Sequence, residues 1–152
     1  MGEILFRGKR IDNGEWIHGF LVIYGDDYYI APDINAYTSI GGGGKGRCMM
    51  FGHYYQVHSE TVGQFTGLTD KNGRKIFEGN IIHLEYSQVF FGGEYFGEYT
   101  AEVSYKEGCF ITDGINNGDE IETPLSGFDN DEVEIIGNIH DNPELLGGES
   151  DG

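Results

Sequence analysis

Apolar and polar residues alternate with a period of two along several short stretches of the chain. In the clearest of them, Ile82, Leu84 and Tyr86 alternate with residues 81, 83 and 85, as in a strand with one face on a core. Further strands are predicted near residues 100–105, 109–112, 120–124 and 133–139. Alternation along these strands predicts a core that includes Ile82, Leu84, Val103, Tyr105, Phe110, Ile135 and Ile139. No helical pattern that could form a crossover lies between these stretches. The spacing predicts an all-β fold whose C-terminal part is a small SH3-like barrel.

Turn signals divide the chain into two small β modules. Asn72-Gly73 predicts a tight hairpin, because both residues tolerate a positive φ. An N-terminal β module is predicted over residues 1–61, the SH3-like module over 62–146 and a disordered tail over 147–152.

Proline and glycine mark the irregular parts of this pattern. Pro32 is expected to end a strand that begins at Tyr28, and the glycine-rich stretch 41–46 is expected to form a mobile loop. Asn142 supplies a helix cap and Pro143 a first helical residue, which together predict one short C-terminal helix.

Four motifs follow one another along the chain. They are Ile4-Leu5-Phe6-Arg7-Gly8, Gly14-Glu15-Trp16-Ile17-His18-Gly19, the stretch 63–82 with Asp70-Lys71-Asn72-Gly73-Arg74 and Phe77-Glu78-Gly79-Asn80, and the stretch 133–146. Together they resemble the signature of the YopX family of phage and prophage proteins. Two features depart from it: Asn80 stands where an Asp usually follows Glu-Gly, and a glycine-rich stretch follows Gly41. The resemblance implies a phage setting, a β fold and self-assembly, and no established activity.

The net charge of −17 is concentrated in the second half of the chain. Residues 1–75 hold eight Lys or Arg and eight Asp or Glu, whereas residues 76–152 hold Lys106 against eighteen acids. An acidic surface is therefore predicted at Asp113, Asp119, Glu120, Glu122, Asp129, Asp131, Glu132 and Glu134. Such a surface keeps an assembly soluble or, alternatively, mimics the phosphates of a nucleic acid.

The same charge distribution argues against direct binding of DNA or RNA, because each phosphate contact needs a cation. Two small basic clusters, at residues 7–10 and 71–75, lie beside predicted turns. They are interpreted as solvated hairpin tips.

The segment Ser87–Tyr99 is too long and too aromatic for an ordinary hairpin loop. Glycines at 92, 93 and 97 allow sharp turns, so the segment is predicted to form an arm that reaches a neighbouring subunit. Its contact residues are predicted to be Phe90, Phe91, Tyr95, Phe96 and Tyr99. The expected partner is a second copy of the chain, and the alternative is an arm that folds back over its own barrel.

The sequence contains no residue grouping typical of an enzyme or a cofactor site. The stretch 39–46 lacks the spacing of a phosphate-binding loop, and the acids at 119–122 and 129–132 do not fit a calcium-binding loop. Cys48, His53 and His58 are five residues apart, which places neighbours on opposite faces of a strand, so zinc binding there is a remote alternative. No catalytic, cofactor-binding or metal residue is assigned.

Hydropathy and cysteine content bear on the compartment. No apolar run approaches the length of a membrane-spanning helix, and the N-terminus lacks the apolar region of a signal peptide. Cys48 and Cys109 are expected to be buried free thiols, not a disulfide. The protein is therefore expected in the cytoplasm, without a membrane partner.

These observations predict a non-enzymatic β protein that self-assembles and presents an acidic surface, and the resemblance to the YopX family implies that it is phage-encoded. An alternative of another class is an acidic decoy that binds a host DNA-binding protein through residues 107–134. A metal-dependent hydrolase is a remote alternative.

Overall fold

The computed structural model describes the backbone of residues 3–41, 44–116 and 118–147. Side chains are described for the same residues apart from 33–41, 44–52, 90 and 147. The strands of these ranges are β1 (Phe6–Lys9), β2 (Trp16–Tyr24), β3 (Asp27–Gly41), β4 (Gly44–Val57), β5 (Gly63–Thr69), β6 (Lys75–Phe77), β7 (Asn80–Phe90), β8 (Gly93–Lys106), β9 (Cys109–Asn116), β10 (Asp119–Pro124) and β11 (Val133–Asn138). One short helix, α1 (Glu144–Gly147), follows. The predicted all-β class with a short C-terminal helix is confirmed.

The chain forms two compact units, Glu3–Gln64 and Phe65–Gly152. The change from one unit to the other falls within β5, whereas the sequence pattern places it between residues 61 and 62. Residues 148–152, where a disordered tail is predicted, lie outside the described residues. In the described ranges, no helix has the length and the apolar character needed to cross a lipid bilayer.

The first unit is an antiparallel sheet in the order β4-β3-β2-β1, and the first two residues of β5 pair with β1. Ile30, Ala31 and Val57 are fully or almost fully buried in it. The pattern of β2 suggests a strand covered on both faces. Phe20 and Ile23 are instead about half exposed.

The hairpin of β3 and β4 is longer than the sequence predicts. β3 continues through Pro32, and its pairing with β4 extends to Gly41 opposite Gly44. The pairing of β2 with β3 reaches only Ala31, and the β3–β4 register shifts between Ile30 and Asp33. Pro32 therefore sits at an irregularity, where a missing N–H is tolerated. The predicted mobile loop at 41–46 is wrong for the described residues, which are extended; residues 42 and 43 lie outside them.

The second unit contains a short hairpin and a five-stranded antiparallel sheet. β6 pairs with the part of β5 that belongs to this unit, and the two strands flank a turn at residues 70–74. The positive φ of this turn is at Gly73 (78°), and the turn is longer than the two-residue type that Asn72-Gly73 suggests. The sheet has the order β10-β9-β8-β7-β11.

One face of this sheet carries the core of the second unit. Of the predicted core residues, Ile82, Leu84 and Val103 are fully buried, and Phe110 and Ile135 pack against the same cluster. Ile139 is half-buried and is not part of this cluster. Tyr105 is 51% exposed, and its assignment to the core is wrong. Tyr105 lies at the end of β8 beside a turn. Its ring centroid is 5.1 Å from that of Phe110, with an angle of 68° between the ring planes, and the Tyr105 ring does not enter the core cluster.

The five-stranded sheet is open where the sequence predicts a barrel. β10 and β11 occupy its two edges, and among the described residues no strand pairing closes it. The SH3-like assignment stays a prediction.

Candidate functional site

The arm, Ser87–Tyr99, is the distal half of the β7–β8 hairpin. Pairing runs from Ser87 opposite Phe96 to Phe90 opposite Gly93. The exposed fractions of its described apolar side chains are large: 79% for Val89, 55% for Tyr95 and 78% for Phe96, while Phe91 is fully exposed. The side chain of Phe90 lies outside the described residues. The register places Val89 and Phe96 on one face of the hairpin and Tyr95 on the other, so the arm exposes apolar side chains on both faces.

The base of the arm is anchored in the core of its own unit. Tyr99 is 6% exposed, and its hydroxyl shares a hydrogen bond of 3.1 Å with Thr112 Oγ1. Tyr99 thus belongs to the core, not to the contact surface predicted for it. The Tyr86 ring lies across Gly97, where a Cβ would stand 2.4 Å from Tyr86 Cζ, so any other residue at this position would displace the Tyr86 ring. Asn116 Nδ2 donates to the Tyr86 hydroxyl at 3.2 Å.

A cleft of about 830 Å³ lies at the base of the arm, and a second hollow of about 540 Å³ shares four of its lining residues. The shared residues are Tyr86, Ser87, Asp129 and Glu132. Glu132 Oε1 accepts the Asp129 N–H at 2.8 Å, in a capping box that fixes both side chains beside the cleft. Aromatic rings next to carboxylates favour cationic ligands.

The sheet face opposite the core cluster is lined with acids and is called the acidic face below. It carries Glu85, Glu98, Glu102, Asp113, Glu120, Glu122 and Glu134. The register places Asp113 directly opposite both Glu102 and Glu122. Lys106 Nζ lies 2.7 Å from a Glu122 oxygen and 3.5 Å from an Asp113 oxygen. Like charges directly opposite each other destabilise a sheet, and this single lysine offsets the repulsion only in part.

The pKa of Glu102 reflects this crowding. Burial raises the pKa, and the charges of Asp113 and Glu78 raise it further, while Lys106 acts in the opposite direction. The folded chain therefore resists ionisation of Glu102.

Seven of the eight predicted acidic residues divide between two places in the second unit. Asp113, Glu120, Glu122 and Glu134 are on the acidic face, and Asp129, Asp131 and Glu132 line the cleft. Asp119 is exposed at the start of β10.

Sequence reasoning missed a cluster on the same face, formed by His83, Glu85 and Glu98. His83 Nε2 lies 3.7 Å from Glu85 Oε1 and 3.8 Å from Glu98 Oε2. The alternation of β7 places His83 and Glu85 on one face. Only the β7–β8 register, with Glu85 directly opposite Glu98, adds the third residue.

The two basic clusters are engaged by neighbouring side chains. The Arg10 guanidinium lies 2.6 Å from Asp12 Oδ2 and 4.0 Å from the Tyr55 ring centroid. Lys71 pairs with Glu134 at 3.3 Å. These contacts fit a structural role for both clusters.

Cys109 is placed differently from expectation, whereas the two described histidines of the stretch 48–58 lie at the surface. Cys109 carries a free thiol and is exposed, so its predicted burial is wrong. It begins β9 immediately after a turn, where the end of the strand faces solvent. His53 and His58 are exposed, and the side chain of Cys48 lies outside the described residues.

Comparisons with known proteins agree with the motifs of the sequence. A family model described as "YopX protein" matches residues 21–147, which is most of the chain. The chain belongs to the YopX family. It is also similar to a solved structure, "protein EF1440 from Enterococcus faecalis", at 25% sequence identity and a TM-score of 0.61. That match covers 96% of this chain and 99% of the other. No protein of curated function matches this chain.

In this YopX-family protein, the motif residues at 70–74 attach a turn to a distant strand. Asp70 is 2% exposed; its Oδ1 accepts the N–H groups of Asn72 and Arg74 at 3.0 and 2.9 Å. Its Oδ2 accepts the Ile135 N–H at 3.0 Å, and Arg74 Nη2 donates to the Ile135 carbonyl at 2.6 Å. The turn after β5 is thereby fixed to β11.

Asn80, which departs from the YopX motif, makes hydrogen bonds through both the oxygen and the nitrogen of its side-chain amide. Its Oδ1 accepts the Phe77 N–H at 2.7 Å, and its Nδ2 donates to the Gly137 carbonyl at 3.3 Å. An ionised Asp would make the first contact but has no proton for the second.

Proposed function

We propose that this YopX-family protein is a non-enzymatic β protein that self-associates through the arm and presents its acidic face to solvent or to a partner. Its setting is the cytoplasm of a bacterial host that carries a phage or prophage. The observation that supports self-association is the exposure of Val89, Phe91 and Phe96 on one hairpin. Monomeric proteins seldom leave so many large apolar side chains of one hairpin uncovered, and Phe and Tyr are typical anchors of interface cores.

The construction of the arm fits this role. Its base is fixed by Tyr99 and by the Tyr86 ring over Gly97, so the β-hairpin extends from a rigid support. A pre-ordered arm loses little conformational entropy on binding, which favours association. Glu94 and Glu98 lie beside the apolar residues and suit the polar rim of an interface.

Replacing Phe90, Phe91 and Phe96 together with Ser should lower the particle mass in light scattering towards that of one chain. The strand circular dichroism should not change, because none of the described side chains among the three is buried. A matched control replaces Ile23, Tyr24 and Tyr54, which are exposed apolar residues of the first unit, with Ser. The control should keep the parent's mass. A triple arm variant with the mass of the parent, or a parent that is already monomeric, contradicts the proposal.

A second candidate is the acidic decoy, which is favoured by the row Glu102–Asp113–Glu122. Carboxylates directly opposite one another carry a cost in stability that scattered surface acids avoid. A basic protein surface bound over this row would relieve the repulsion and would recognise the row as it recognises a line of phosphates.

This candidate predicts salt-sensitive capture of a host DNA-binding protein by the tagged chain, with DNA as a competitor. Changing Glu102 and Glu122 to Gln and Asp113 to Asn should abolish the capture. Neutralising Asp26, Asp27 and Glu60, which are exposed acids of the first unit, should not. Capture that survives the first triple change, or that DNA does not compete, would rule the decoy out.

A further inference from the structure

His83, Glu85 and Glu98 bring three metal-ligating atoms together on the acidic face. The imidazole Nε2 and one oxygen from each carboxylate all lie within 4.8 Å of one another. The His83 side chain is the least exposed of the three, at 28%, while the side chains of Glu85 and Glu98 are 67% and 69% exposed. One ligand is thus held by its surroundings, and two can adjust their rotamers.

The strand register concentrates negative charge at this cluster, which favours the binding of a cation. Glu85 and Glu98 are directly opposite each other in the antiparallel ladder, which brings two negative side chains together. On the same face, Lys106 is engaged by Asp113 and Glu122. A cation between Glu85 and Glu98 would turn a repulsive cross-strand pair into an attractive one.

We propose that His83, Glu85 and Glu98 form a binding site for a divalent transition-metal ion of the zinc type. One imidazole nitrogen and two carboxylate oxygens are ligands that Zn²⁺ accepts, whereas Mg²⁺ and Ca²⁺ prefer oxygen alone. Bonds of about 2.0–2.1 Å in tetrahedral geometry require ligand atoms about 3.3 Å apart. The separations of 3.7 and 3.8 Å from His83 Nε2 approach this value, and rotation of the two glutamates supplies the remaining contraction.

The position of the site suggests what the ion does. Three ligands on one sheet face leave the remaining coordination position open to solvent or to a ligand atom from a partner. Glu85 and Glu98 also line the cleft at the base of the arm. The ion would therefore bind at the margin of that cleft and fasten β7 to β8 where the arm leaves the sheet. The site does not depend on self-association of the arm.

The test is isothermal titration of the chelator-treated full chain with ZnCl₂ at neutral pH, together with thermal unfolding. The parent should bind one ion with a midpoint increase of several degrees. His83→Asn and Glu98→Gln should each weaken this binding by at least about tenfold and remove the increase. Glu94→Gln makes the same charge change on the same strand, opposite Val89, and should bind as the parent does.

Two further measurements separate this site from zinc bound elsewhere and from charge screening. Zinc bound elsewhere, at Cys109 for instance, would persist in all variants, so the difference between parent and Glu98→Gln reports this site alone. CaCl₂ at the same concentration measures general screening of the acids. The proposal fails if the parent binds no zinc, if Glu98→Gln and Glu94→Gln behave alike, or if calcium raises the midpoint as much as zinc does. If His83→Asn does not fold by circular dichroism, Glu98→Gln decides.

Discussion

Replacing Asp70 with Ala is expected to lower the free energy of unfolding by about 3–5 kcal/mol. The carboxylate is buried and accepts N–H groups from Asn72, Arg74 and Ile135. Its removal leaves these donors without an acceptor and Arg74 without its ion-pair partner, and an unmet buried donor costs about 1–3 kcal/mol. Urea unfolding measures the loss, and Asp26→Ala, at an exposed turn, should cost less than about 0.5 kcal/mol.

The contribution of Asp70 should also depend on pH. Burial acts to raise the pKa of this carboxyl, but hydrogen bonds from the Ile135, Arg74 and Asn72 N–H groups and the charge of Arg74 outweigh it and hold the pKa below its usual value. An Asp in the unfolded chain titrates at about pH 3.9. Because the folded pKa is lower, the stabilisation is complete above the unfolded pKa and is lost as the pH falls through the folded pKa.

Asp70→Asn separates the charge from the shape of this side chain. Asn has one acceptor oxygen, and its amide nitrogen would face an N–H group, so a smaller loss of about 2–3 kcal/mol is expected at pH 7. The difference in stability between the parent and Asp70→Asn should shrink below about pH 4. A difference that stays constant from pH 7 to pH 3 would show that the ionised carboxylate is not what holds the turn to β11.

Replacing Phe77 with Ala is expected to cost about 3–5 kcal/mol. Phe77 is 1% exposed, and its ring centroid lies 5.6 Å from that of Phe65. Removing the ring creates a cavity, and the hydrogen bond from the Phe77 N–H to Asn80 Oδ1 at 2.7 Å holds the backbone of this position in place beside it. Both the lost burial and the cavity destabilise the fold.

Phe91→Ala is the matched control for this change. The same atoms are removed from a side chain that is fully exposed on the arm, so the free energy of unfolding of the monomer should change by less than about 0.5 kcal/mol. Equal losses in the two variants, measured by urea unfolding at low protein concentration, would mean that Phe77 is not part of a packed core.

Local pattern determined the strands whose side chains alternate between a core and solvent. The period of two places Ile82, Leu84 and Val103 on the buried face, because an apolar face of a strand must be covered. The motifs also indicated the YopX family, since turn and core residues recur at fixed spacing along one chain. The length and aromatic content of Ser87–Tyr99 predicted an arm but left open whether it folds back over its own unit. The structure shows that Phe91 and Phe96 are exposed.

Tertiary structure decided every feature that depends on residues distant in the chain. The pairing of β3 with β4 keeps the chain extended beyond Pro32, although local propensity favours an end there. Tyr105 alternates correctly but lies beyond the end of the core cluster, and alternation does not reveal where a core ends.

The sequence pattern does not determine the long-range hydrogen-bond partners of Asp70 or the strand register that completes the cluster of His83, Glu85 and Glu98. Asp70 looks like an ordinary turn residue until the Ile135 N–H, 65 positions away, is placed against it. His83 and Glu85 share a face by alternation, but Glu98 joins them only because the turn at Phe91-Gly92 sets it opposite Glu85. A register shift of one residue would turn Glu98 to the other face and separate the three ligands.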